Sequence, residues 1–257
     1  MAAVERFVDQ LPTDTSYAAQ AARSYDAFMS PGTVFPDDVV HRDVIRRCGG
    51  TALELGTGNG RFLIPALEEG LAVEGLDNSA DILAICQQHA DERGLAVTLH
   101  ESDMAPLALD RQYRAIVCPA GSFSLVTDVA LAHQALRSYH DHLEPGGRLA
   151  VSLYTVTAPA ANEFVWRLRR TGTDPHTGET FIVHEAVGRD LAPQTLLTYN
   201  RLERFDNTGR LLDSELRKIC VRWWERDEFT AALIATGFAE PKILGDADGW
   251  VALTRRA

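Results

Sequence analysis

Apolar residues along this chain fall into two kinds of pattern. Between about residues 51 and 155, short apolar runs alternate with stretches suited to helices. "TALEL" (51–55), "LAVEGLD" (71–77), "LAVTLHE" (95–101), "YRAIVCPA" (113–120) and "RLAVSLYT" (148–155) read as strands. Residues 61–69, 80–93 and 128–143 read as the helices between them, the last stopped by "EPGG". Such alternation specifies βα units and a parallel sheet covered on both faces. Ahead of it, alanine-rich residues 16–29 predict a helix broken by "SPGT". Pro36 with Asp37 and Asp38 then opens a second helix toward Arg47.

From about residue 160 to 224 the pattern changes. "ETFIVHEAVGRD", "TLLTYNRLERFD" and "LLDSELRKICVRWW" are three long β-type runs, with turn chemistry around Gly178 and Gly209 and a loop at Ala192-Pro193. They predict an antiparallel meander. A helix over 227–236 with Gly237 as its stop, and a hairpin from "AEPKILGD" and "GWVALTRR", complete the chain. The expected organisation is an N-terminal helical cap (1–48), a doubly wound α/β core (49–155 and 225–257) and an inserted antiparallel lid (156–224).

Composition narrows the partners. A net charge of −11 over 257 residues argues against a nucleic-acid backbone or an anionic membrane as the main partner. Basic residues cluster at Arg46-Arg47 and at Arg167, Arg169 and Arg170, and the ordinary reading of each is a solvated face. Cys48, Cys86, Cys118 and Cys220 lie far apart with no metal-type spacing, which suggests reduced thiols. No Asp, Glu or His set has metal-ligand spacing, so no metal is expected. The first residues lack the apolar region of a secretory signal, and no run approaches a membrane span. A soluble cytoplasmic protein is expected, its self-association into a homo-oligomer left open.

Candidate chemistry begins at "LELGTGNGRF" (53–62), a strand followed by a glycine loop and a helix. That layout marks a nucleotide site at the carboxyl edge of a parallel sheet. The dinucleotide fingerprint would place its third glycine at position 61, where this chain has Arg61. Its third glycine is Gly60. Asp77 closes the second strand, where a carboxylate can accept from both ribose hydroxyls. Asp103 follows the third strand in "ESDMAPL", where it can receive an adenine amine with Met104 against the ring. Taken singly, each acid is equally well a turn or N-cap residue.

"ALELGTGNGRF", "VEGLDNS", "ESDMAPL" and "HLEPGGRLAVS" together resemble, in order and spacing, the motifs of class I S-adenosylmethionine-dependent methyltransferases. The resemblance implies a seven-stranded Rossmann-like sheet with its last strand antiparallel, and S-adenosylmethionine as cofactor. It places Glu54, Gly56, Gly58 and Gly60 around the methionine moiety, Asp77 on the ribose and Asn78 beside the adenine. Asp103 and Met104 would read the adenine, and Pro119 and Ala120 would lie near the sulfonium. This cofactor has no pyrophosphate, so a glycine loop without the phosphate cradle suits it. Arg61 reads as a helix-surface residue.

Methyl transfer is an in-line displacement that needs alignment and exclusion of water more than acid or base. Tyr17 and Tyr25 lie near one face of the first helix, and Phe123 follows the fourth strand. These aromatics are candidates to face the sulfonium and substrate, with core packing as the ordinary alternative. In the lid, His184, Glu185, Tyr199 and Arg201 either face substrate or face solvent. An oxygen acceptor would require a base, with His184, His133 or Tyr25 as nominees, whereas a neutral amine requires only a path for its proton. The lid and helix resemble those of small-molecule N-methyltransferases acting on glycine-type amines, amino sugars or antibiotic intermediates. An amine acceptor is favoured over an O-methyltransferase. A nicotinamide-dependent oxidoreductase and a non-catalytic S-adenosylmethionine-binding module are the other readings.

Overall fold

The computed structural model describes residues 10–14, 17, 19–154, 165–189, 194–246 and 249–257. Helices α1 (Gln20–Phe28) and α2 (Asp38–Cys48) come first. The alternating region follows as β1 (Ala52–Leu55), α3 (Leu63–Glu68), β2 (Val73–Asp77), α4 (Ala80–Glu92), β3 (Leu99–Glu101), β4 (Tyr113–Cys118), α5 (Val129–Asp141) and β5 (Leu143–Tyr154). Then come β6 (Arg167–Thr173), β7 (Thr180–Arg189), β8 (Thr195–Phe205), β9 (Leu211–Arg222), α6 (Arg226–Ala235), β10 (Lys242–Gly245) and β11 (Gly249–Arg255).

Seven strands form one sheet in the order β10-β11-β5-β4-β1-β2-β3, in which β11 runs antiparallel to both neighbours. Burial alternates along its strands. Leu53, Leu55, Ile116 and Cys118 face one core, filled by Leu136 and Tyr139 of α5 and Phe229 of α6. Ala52, Ala115 and Val117 face the other, filled by Val44, Ile64 and Cys86 of α2, α3 and α4. The expected Rossmann-like sheet is present, with two local corrections. β3 has only three residues. The "EPGG" turn lies within β5 as an irregularity, Tyr113 pairing with Leu143 and Ala115 with Arg148.

The lid is a separate antiparallel sheet, β6-β7-β8-β9. Three of its strands match the long runs expected. β6 was not anticipated, because "RLRRTGT" has almost no apolar alternation. The Ala192-Pro193 loop and residues 155–164 lie outside the described residues. All four cysteines are buried and none forms a disulfide, and no described helix is long and apolar enough to cross a membrane.

Candidate active-site cleft

A cleft of about 800 Å³ runs between the carboxyl ends of β1, β2 and β4 and the inner face of the lid sheet. The glycine loop forms one wall. Thr57 N–H donates to the Leu76 carbonyl at 2.9 Å, which ties the loop to β2. Gly58 has φ of +56°, in the left-handed region that disfavours side chains. Its N–H donates to Asp77 Oδ2 at 3.0 Å, while Ser79 N–H donates to Oδ1 at 3.1 Å. One carboxylate thus joins the loop to the start of α4. Burial pushes the Asp77 carboxyl up, against these N–H donors. A carboxylate offers about four lone-pair positions, so this one retains acceptors for hydroxyls in the cleft.

Gly60 acts differently from its neighbours. A Cβ there would lie 2.7 Å from Ile64 Cγ1 and 2.8 Å from Cys86 Sγ. Gly60 allows the loop to pack on α3 and α4, and it does not line the cleft. Its expected place around the methionine moiety is corrected to this indirect one. Asn59 anchors the loop from the other side, donating to Asp26 Oδ1 and to the Met29 carbonyl, both at 2.7 Å. His89 Nε2 lies 2.7 Å from the same Asp26 oxygen. α1 is therefore fixed to both the loop and α4.

Glu54, Gly56, Gly58, Asp77, Asn78, Asp103, Met104, Pro119 and Ala120 all line the cleft. At its outer rim Asn78 Nδ2 donates to Asp103 Oδ1 at 3.0 Å. Deep inside, Glu54 is 2 % exposed and accepts from Thr57 Oγ1 at 2.8 Å. Burial pushes its carboxyl up to about 8, with Thr57 and Arg61 pulling the other way.

Arg61 is not a helix-surface residue. It is 4 % exposed, grips Asp38 through two hydrogen bonds of 2.8 and 3.0 Å, and donates to the Thr33 carbonyl at 2.9 Å. Its guanidinium sits 4.2 Å from the centre of the Phe35 ring. The signal that could have placed it is the acid pair at the start of α2. The other acid, Asp37, accepts from Ala120 N–H at 2.9 Å and Ser152 Oγ at 2.6 Å, and His41 Nε2 lies 2.6 Å from that hydroxyl. Burial opposes ionisation of Asp37, but these hydrogen bonds hold its carboxyl well below the usual range. They also hold the left-handed backbone of Ala120 (φ 57°) at the end of β4.

Tyr17 and Tyr25 both line the cleft, their rings edge to face at 4.9 Å. Burial pushes both hydroxyls up. Ser79 Oγ donates to the Tyr17 carbonyl at 2.6 Å, and Ala19 N–H donates to Asp81 Oδ2 at 2.6 Å, so α4 holds this segment over the cleft.

Two nominated catalytic groups lie elsewhere. Phe123 is fully buried among Tyr139, Trp224 and Phe229, with ring centres 5.5 to 6.3 Å away, and cannot touch substrate. His184 points to the opposite face of the lid, 3.3 Å from Glu203 Oε2 and accepting from Arg201 at 3.3 Å. Strand alternation explains this: Val183 and Glu185 face the cleft, so His184 faces away. Tyr199 and Arg201 share its side, and His133 on α5 is outside the cleft. Arg170, expected on a solvated face, is half-buried and lines the cleft, while Arg169 borders the cleft and remains 53% exposed as expected; Arg217 and Asn200 line the cleft too.

Residues 52–147 match the family model described as a methyltransferase domain. A dTDP-3-amino-3,4,6-trideoxy-alpha-D-glucopyranose N,N-dimethyltransferase of Streptomyces venezuelae is 32% identical over 99 residues, covering 38% of this chain and 40% of that protein. The match thus spans about two fifths of that relative's length. Among solved structures, the CcbJ methyltransferase of Streptomyces caelestis superposes with a TM-score of 0.70 at 21% identity, over 94% of this chain and 98% of that one. The sugar N-methyltransferase KedS8 of a Streptoalloteichus species gives 0.66 at 24%, over 88% and 90%. The glycine loop and strands β1 to β4 all fall inside the matched region, so it is residues 52–147 that are similar to a methyltransferase domain.

Proposed function

We propose that this protein transfers a methyl group from S-adenosylmethionine to an amine nitrogen of a small molecule. The observation that carries the reading is the cleft's two-ended composition. One end is built from backbone N–H groups and short acids at strand ends. The other is aromatic and is roofed by the lid. In this reading residues 49–155 and 225–257 bind the donor, 156–224 form the lid, and 1–48 cap the site.

Asp77 would hold the ribose, with Asn78, Asp103 and Met104 around the adenine and Glu54, Gly56 and Gly58 around the amino-acid tail. The buried Glu54 fits a cationic partner, because an ammonium beside it would offset the burial that keeps it protonated. When bound, the donor supplies a methyl group activated by a sulfonium. The chain's task is alignment and exclusion of water. Tyr17 and Tyr25 would offer ring faces to positive charge. Asp37 and Ser152 would keep the end of β4 in place beside the reacting atoms.

No described cleft residue is a histidine, and burial keeps the two tyrosine hydroxyls protonated. A hydroxyl acceptor would lack the histidine or tyrosine base nominated for it, whereas a neutral amine attacks with its own lone pair and needs only a path for its proton. The amino-sugar N,N-dimethyltransferase among the relatives supports an amine of that class. Four buried cysteines without a disulfide fit a reducing compartment, and we place the reaction in the cytoplasm.

The test is calorimetric binding of S-adenosylhomocysteine, followed by a panel of matched small amines and alcohols scored for its release. Binding with turnover confined to amines is expected. Turnover confined to alcohols would overturn the nitrogen assignment.

A further inference from the structure

The lid's inner face carries more positive charge than its neighbours neutralise. Arg169 and Arg170 are consecutive on β6, and an undistorted strand would send them to opposite faces. Both line the cleft. The cause is a register irregularity: Leu168 pairs with His184 and Arg170 with Val183, leaving Arg169 as the extra, unpaired residue. Such bulges re-aim side chains beside binding sites.

The two arginines differ in their partners. Arg169 Nε lies 3.6 Å from Glu185 Oε1 across the strands. Arg170 is half-buried and has no hydrogen bond or ion pair among the described residues. Burial and the neighbouring Arg169 both disfavour its charge. Tyr17, Tyr25 and Glu185 lie near enough to affect it electrostatically, which locates it on the aromatic side of the cleft. Two guanidiniums beside one carboxylate, in a protein of net charge −11, form a local excess of positive charge that a bound anion would balance.

We propose that the acceptor carries, besides its amine nitrogen, an anionic group, phosphoryl or carboxylate, which Arg170 grips with help from Arg169. This rests on the donor and acceptor ends assigned above. A guanidinium presents paired N–H donors that match either oxyanion. The amine end of such a molecule would then lie toward the tyrosines and the glycine loop. Neutral amines of the same size would be poor substrates.

The probes are inorganic pyrophosphate and succinate, titrated into the protein loaded with S-adenosylhomocysteine, at constant ionic strength because charge pairs are screened by salt. At least one anion is expected to bind, and which one binds tells phosphoryl from carboxylate. Arg170→Gln is expected to weaken that binding at least tenfold, and Arg170→Lys by less. Arg210→Gln, exposed in the β8–β9 turn, should leave it unchanged. S-adenosylhomocysteine affinity should be equal in all four proteins. Undiminished anion binding by Arg170→Gln would overturn the proposal, as would failure of both anions to bind the loaded wild type. If S-adenosylhomocysteine itself does not bind, the donor assignment falls, and the same titrations on the unloaded protein still decide the arginine site.

Discussion

On the parallel sheet, the cleft is lined by backbone N–H groups and short acids at strand ends. On the lid sheet it is lined by long side chains from the middle of antiparallel strands. The first arrangement is rigid, because Asp77, Thr57 and Asn59 tie the loop to β2, α4 and α1. The second varies easily, since any outward-to-inward change along β6 to β9 alters what the cleft presents. A donor common to many enzymes suits the first region, and an acceptor particular to one suits the second.

Breaking the rigid side should have the largest effects. Asp38→Ala leaves the Arg61 charge buried without its partner, and should cost about 3–5 kcal/mol in chemical denaturation. A loss below about 1 kcal/mol would mean that water reaches Arg61. Phe123→Ala should cost a similar amount, about 3–5 kcal/mol, by emptying an aromatic core site. Its affinity for S-adenosylhomocysteine should remain near wild type below the melting range. Reduced turnover at unchanged stability would return Phe123 to the cleft.

pH sharpens the comparison further. Glu54 is raised from an ordinary 4.5 to about 8 in the folded protein. The unfolded chain releases this proton first, so the stabilising contribution is present below 4.5 and is lost as pH rises toward 8. Wild type should therefore lose stability over that window relative to Glu54→Gln, as followed by melting temperature. S-adenosylhomocysteine should stabilise wild type more at the upper end than at the lower. A parallel pH course in the two proteins would remove Glu54 from the explanation. A smaller effect is expected for Asp77→Ala, which should weaken S-adenosylhomocysteine binding at least tenfold, or about 1.4 kcal/mol. Arg170→Gln should leave that binding untouched. Equal losses in both would erase the distinction between the two ends.

The same contrast explains what could be read from the chain. β1, β2 and β4 were legible because buried parallel strands are short, largely apolar runs set between helix-type segments, and the glycine loop because its backbone permits few substitutes. Asp77 and Asp103 were legible because strand ends are fixed by the strands themselves. Arg61 was misread because its burial depends on Asp38, 23 residues earlier, and ion pairs at that separation leave no periodic trace. Phe123 follows β4 as expected, yet its ring direction is set by Trp224 and Phe229 from the far end of the chain. His184 required the lid's register, which apolar alternation alone does not fix. β6 gave almost no signal, because its inward positions include arginines and Gly172 rather than apolar side chains.

The bulge in β6 also bears on how such an enzyme changes over generations. Among the described residues β6 is an edge strand, paired only with β7, so its register is held from one side and tolerates a slip more readily than an inner strand. Deleting one residue near Arg169 would restore plain alternation and turn one of the two guanidiniums out of the cleft, with no residue of the glycine loop altered. A single codon lost or gained there would shift the choice of acceptor while the donor stayed the same.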